Sequence, residues 1–128
     1  EYQFVIAGAP SIQPEYYSKY TKGSKVSIVY GQTYRLLKHA EAAVVTSGTA
    51  TLETALLNVP EVVIYKTNPV TFFIGNFFVK IKFFSLVNLI LDQEAVKELL
   101  QENLSADIRD ELERILKNKE YREQMLNN

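Results

Sequence analysis

The stretch AAVVTSGTATLETALLNVPEVVIYK, residues 42–66, carries the reading of the fold. Its two ends, AAVVTS (42–47) and EVVIYK (61–66), are short β-branched runs, the pattern of strands covered on both faces. Between them Leu52, Ala55 and Leu56 recur at helical spacing over 49–58, so the segment reads strand, helix, strand. Such a unit makes a parallel pair with its helix laid across one face of the sheet. The crossover is right-handed, as in doubly wound sheets, where ligands bind beyond the carboxyl ends of the strands. The turn TSGTATLE (46–53) stands at one such end, and it holds more hydroxyls than a turn requires.

Upstream, YQFVIAG (2–8) and KVSIVY (25–30) read as two further strands, with helical spacing over 12–20 and 32–40, where Leu36, Leu37 and Ala40 share a face. Downstream, Ala95, Val96, Leu99 and Leu100 predict a helix over 93–101. SADIRDELERILKN (105–118) predicts another. It opens on Ser105, sets acids early and basic residues late, and carries the stripe Ile108, Leu112, Ile115 and Leu116. The expected class is α/β, a Rossmann-like parallel sheet with flanking helices and a helical C-terminal tail. One domain spans 1–128, with a β/α part over 1–68 and a mainly helical part over 69–128.

Composition sets the outer limits. Of 128 residues, 47% are apolar and 23% charged, which is ordinary for a globular chain with its own core. A net charge of -1 gives no field to draw nucleic acid, so none is expected as a partner. With no cysteine and one histidine, neither a disulfide frame nor a structural zinc site is expected, and no metal or cofactor is implied. EYQFVIAGAP has no basic n-region of a signal peptide, which points to the cytoplasm.

Charge is uneven along the chain: residues 92–128 carry ten acids against six basic residues, whereas 69–91 carry only Lys80 and Lys82. That middle block is long enough to suggest a membrane span, but its lysines, with Asn76 and Asn88, argue against one. Phe72, Phe73, Phe77, Phe78, Phe83 and Phe84 suit either a core beneath the C-terminal helices or an interfacial contact with anionic lipid.

The turn at 46–53 admits two readings. Gly48 lets backbone approach a ligand, and the helix start behind it presents unpaired N–H groups that favour an anion. Ser47, Thr49 and Thr51 could add hydrogen bonds to phosphate oxygens, and Glu53, one turn on, could accept from the vicinal hydroxyls of a ribose. The same residues also fit a capping box, which asks for no ligand. His39 stands near the end of its helix without an evident orienting partner, so no catalytic residue is assigned. The carboxylates near 110–113 read as a solvated helix face.

Beyond single motifs, the order of residues from GQTYRLLKHAEAAVVTSGTATLE through to KELLQ resembles the C-terminal half of the lipid-A-disaccharide synthases. The matching motifs are Gly31-Gln32, the run 47–53, Pro60, Tyr65, Asn68-Pro69, Thr71, Val79-Lys80, Ser85-Leu86, Asn88-Leu89 and ELLQ (98–101). The resemblance covers most of 30–101; the tail after 104 matches only in being helical. It implies part of the C-terminal domain of an inverting glycosyltransferase of the two-Rossmann-domain (GT-B) type. The donor would be UDP-2,3-diacylglucosamine, the acceptor 2,3-diacylglucosamine 1-phosphate, and the products lipid A disaccharide phosphate and UDP.

Carried over motif by motif, Ser47, Gly48, Thr49 and Thr51 would meet the diphosphate and Glu53 the ribose. Gln32 would lie beside the uracil or ribose, and Asn68 and Asn88 would line the cleft. The acylated substrates imply a peripheral contact with the inner membrane, through Lys80 and Lys82, from the cytoplasmic side. An exposed sheet edge makes pairing between two copies an expectation. Two departures bear on this: Val87 replaces the usual proline of Ser-Leu-Pro-Asn, and Leu91, Asp92 and Gln93 replace Ala-Gly-Arg, which removes a basic residue. The acceptor-binding domain and the first phosphate loop of the family have no counterpart among these residues, so the chain reads as a fragment, inactive alone. The alternatives are another UDP-sugar enzyme of the same type, such as the peptidoglycan N-acetylglucosaminyltransferase, or a nucleotide-binding module without catalysis.

Overall fold

The computed structural model describes residues 2–65, 82–100 and 104–128. The chain forms two compact units, Glu1–His39 and Ala40–Asn128. In the first, strand β1 (Val5–Gly8) pairs in parallel with β2 (Ser27–Tyr30), from Val5 opposite Ser27 to Gly8 opposite Tyr30. Helix α1 (Pro14–Thr21) makes the crossover; Pro14 pre-sets its first turn, with Glu15 early and Lys19 late as the helix dipole favours. A side chain at Gly8 would run into the Tyr30 ring, which would have to move aside. Helix α2 (Thr33–Leu37) follows β2 after Gly31, which takes a φ of 65°.

The second unit opens with the strand–helix–strand segment: β3 (Ala43–Thr46), α3 (Thr49–Leu56) and β4 (Glu61–Tyr65). Asn58, at a φ of 55°, turns the chain out of α3 and back toward the sheet. Then come α4 (Leu86–Leu91), β5 (Lys97–Leu100), α5 (Leu104–Lys117) and α6 (Lys119–Asn127). The sheet is wholly parallel in the order β3-β4-β5. Its central strand carries the core: Val62 and Val63 are fully buried and pack with Val87, Ala95, Val96, Leu99, Ile115 and Met125. Leu52 and Ala55 of α3, and Ile108 and Leu112 of α5, close over that cluster as their spacing predicts. The α/β class with parallel strands and flanking helices is therefore as expected.

Two local expectations fail. The segment 93–101 is not a helix but leads into β5, with Leu99 buried and Leu100 exposed, the period-two pattern of a strand. Non-local partners decide it: β4 supplies the ladder, and the Asn88 side chain takes the backbone N–H groups of Ala95 and Val96. Helix α5 starts at Leu104, so Ser105 lies within its first turn rather than ahead of it.

Nor are the carboxylates near 110–113 uniformly solvated. Glu111 is buried, accepts the Tyr121 hydroxyl of α6 and faces Arg114, whose guanidinium lies 3.8 Å from the centre of the Tyr121 ring. Burial, and then the Glu111 carboxylate, push the Tyr121 hydroxyl above its ordinary range.

Candidate functional site

The carboxyl ends of β3 and β4 meet the segment just before α4, and the candidate site is built there. Gly48 separates β3 from α3 with φ 150° and ψ -165°, a conformation that only glycine adopts without strain. No atom lies within 4 Å of where its side chain would stand. Gly48 is also the N-cap of α3, and no side chain caps the helix there. Counting from that cap, the third helical position is Thr51, whereas a capping box needs an acid or amide at it. Glu53 falls two residues further on, half-buried, so the helix start is not closed by a box.

The hydroxyls of the turn divide into two kinds. Ser47 donates its Oγ proton to the Phe84 carbonyl at 2.6 Å, while its backbone N–H continues the ladder to Ile64 at 2.9 Å. Thr51, fully buried, donates to the Gly48 carbonyl at 2.8 Å. Each hydroxyl owns one proton, and both protons are spent on backbone, so in this geometry Ser47 and Thr51 shape the turn. Thr49 is exposed at the first position of α3. Gly48 and Thr49 thus form the outer surface of the turn.

Across from it, the segment Phe84–Asn88 is closed by side chains. Ser85, fully buried, caps α4 by accepting the Asn88 N–H at 3.1 Å. The Glu98 carboxylate of β5 accepts three bonds: Phe84 N–H at 2.8 Å, Ser85 N–H at 2.9 Å and Asn88 Nδ2 at 2.8 Å. Asn88 is fully buried with its amide saturated, donating also to the Val96 carbonyl and accepting from Ala95 and Val96. Expected to line a cleft, it is a clamp between α4 and β5. Tyr65, at the end of β4, stacks on Phe84 with ring centres 4.8 Å apart. Glu98 is legible only as part of a motif; an acid directly before the two leucines of the strand KELL is the signal that it needs buried partners.

The remaining expected residues lie elsewhere. Gln32 belongs to the first unit, at the N-cap of α2, on a groove of about 320 Å³ lined by Val29, Arg35, Leu36 and His39. There His39 has a backbone partner after all: its Nδ1 lies 2.9 Å from the Arg35 carbonyl. Lys82 is exposed and paired with Asp92 at 2.7 Å. Asn68, Lys80 and most of the phenylalanine-rich run lie outside the described residues. Among the described residues, no helix is long and apolar enough to cross a membrane, and no cluster of side chains could hold a metal ion.

Comparison with known proteins matches residues 8–128 to the family model described as lipid-A-disaccharide synthetase. This chain belongs to the lipid-A-disaccharide synthase family. The synthase of Myxococcus xanthus is 36% identical over 127 residues, covering 97% of this chain and 33% of that protein. That of Persephonella marina is 38% identical over 112 residues, or 81% and 29%. That of Aquifex aeolicus is 40% identical over 90 residues, or 70% and 25%. The chain thus spans a third or less of the length of the curated relatives it matches. Family membership displaces the peptidoglycan enzyme as an alternative.

Proposed function

We propose that this chain supplies the nucleotide-binding half of a sugar transfer. Diacylglucosamine would pass from its UDP derivative to diacylglucosamine 1-phosphate, giving the lipid A disaccharide phosphate and UDP. The observation that carries the reading is the uncapped start of α3 behind Gly48. A helix start without a side-chain cap leaves backbone N–H groups and the positive end of the dipole for an anion, and a diphosphate supplies one. Gly48 and Thr49 would approach the diphosphate, Ser47 and Thr51 would hold the turn in shape, and Glu53 would accept from the ribose. Neither a general base nor an acceptor site is assigned within these residues. Transfer needs donor and acceptor oriented together, so the chain alone would bind UDP without making disaccharide.

The reading is tested at Glu53. Calorimetric titration of Glu53→Ala with UDP is expected to show affinity lowered by roughly 1.5–3 kcal/mol, the loss of a hydrogen bond to a charged group. Unchanged affinity with a lowered melting temperature would assign Glu53 to the fold. The acylated substrates would also bring the protein to lipid, with Lys82 and Phe83 at that surface. Because Asp92 already answers the Lys82 charge, any such contact would be weak and salt-sensitive.

A further inference from the structure

We propose that Glu98 is a positioning residue for the β3–α3 turn, acting through the Phe84 peptide. The inference rests on the nucleotide reading for its functional consequence, though not for its geometry. Glu98 sits on β5 and makes no hydrogen bond to the turn itself. One of its oxygens holds the N–H of Phe84, at 2.8 Å, and the carbonyl of that same residue receives the Ser47 hydroxyl at 2.6 Å. The other oxygen holds Ser85 N–H and Asn88 Nδ2, which stops the Phe84 segment from rotating. The Tyr65 ring, stacked on Phe84, fixes it from the β4 side. The position of Ser47, and so of Gly48 beside it, is therefore set from a residue 51 places along the chain, through two hydrogen bonds to one residue.

The chemistry demands a carboxylate at this point. Every group facing Glu98 is a donor, so both oxygens must accept. Glutamine keeps the shape but offers one acceptor, and its NH₂ would face either the Phe84 N–H or the Ser85 N–H, donor against donor. Glu98→Gln should release one end of the Phe84 segment. Ser47→Ala breaks the same relay at its far end and leaves the Glu98 clamp intact.

The test follows the backbone amide resonances of the labelled chain, with and without UDP. Glu98→Gln is expected to shift Ser47, Gly48 and Thr49 and to speed their hydrogen exchange, while α5 and α6 keep their wild-type resonances. UDP affinity should fall roughly three- to tenfold, the size of one net hydrogen bond. Ser47→Ala should move the same amides, and the double variant should add little, since both changes cut one relay. If Glu98→Gln does not fold, Ser47→Ala carries the test, and unmoved Gly48 and Thr49 amides in that variant overturn the proposal. Shifts confined to Phe84, Ser85 and Asn88 in Glu98→Gln overturn it as well. A wild-type chain whose turn ignores UDP would sink the nucleotide reading and leave the positioning role to be judged on the amide shifts alone.

Discussion

Two turns in the second unit each set small polar side chains at a helix start and do opposite things with them. At 84–88, every side-chain polar group of Ser85 and Asn88 is buried and answered, and Glu98 seals what remains. At 46–51, Ser47 and Thr51 give their protons inward, and the helix start behind Gly48 is left without a side-chain cap. A buried polar group left unanswered is costly, so the first turn is closed of necessity. The second lies at the surface, where an uncapped N–H costs little and can take a ligand. Residue type alone does not tell an open turn from a structural clamp; the destination of each proton does.

The sharpest break of that comparison is at Asn88. Asn88→Ala takes the side-chain partners from the Val96 N–H and the Val96 carbonyl, one of two acceptors from the Ala95 N–H, and one donor from a Glu98 oxygen that keeps Ser85 N–H. A loss of about 3–5 kcal/mol, on the scale of a disrupted buried network, is expected from urea unfolding. An equal alteration at Thr49 should leave the midpoint nearly unmoved, because Thr49 lies on the exposed side of the turn.

A second contrast sets Glu98 of β5 against Glu61 of β4. Glu98 has three donors, whereas Glu61 is fully buried with both carboxylate oxygens unpartnered. Burial pushes the Glu61 carboxyl up to about 8. The folded chain therefore holds a proton that the unfolded chain has released over the range between about 4.5 and about 8. Stability from this group is full below the lower limit and falls as pH rises through the upper one, by up to about 5 kcal/mol in all. Melting curves from pH 5 to 8.5 should show the decline. Glu61→Gln should flatten it, and Glu61→Met should flatten it while raising stability at pH 8. A wild-type profile without slope would mean that the carboxyl finds a partner.

Smaller is the effect of Gly48→Ala. With a φ of 150° and open space around the position, the substitution costs backbone strain without a clash, about 1–3 kcal/mol by chemical denaturation. If the turn binds the diphosphate, UDP affinity should fall beyond what the lost stability accounts for.

These contrasts also mark what the sequence discloses. The β3–α3–β4 segment was legible because β-branched runs, a turn glycine and helical spacing all agree within twenty-five residues. Strand β5 was not, since Ala95, Val96, Leu99 and Leu100 mimic a helical face and the deciding partners, Asn88 and β4, are distant in sequence. The candidate turn was visible from its glycine and hydroxyls, but the direction of the Ser47 hydroxyl depends on Phe84, 37 residues away. Glu61 and Glu98 look alike in a strand, and only the donors around one of them separate their roles.

A diphosphate site at the uncapped start of α3 is tested by the amide resonances of the labelled chain titrated with UDP. Saturable shifts are expected, largest at Gly48, Thr49 and Ala50, matched in part by inorganic diphosphate and weakened by Glu53→Ala for UDP alone. Shifts centred on another surface, or a turn that stays silent at millimolar UDP, would contradict it.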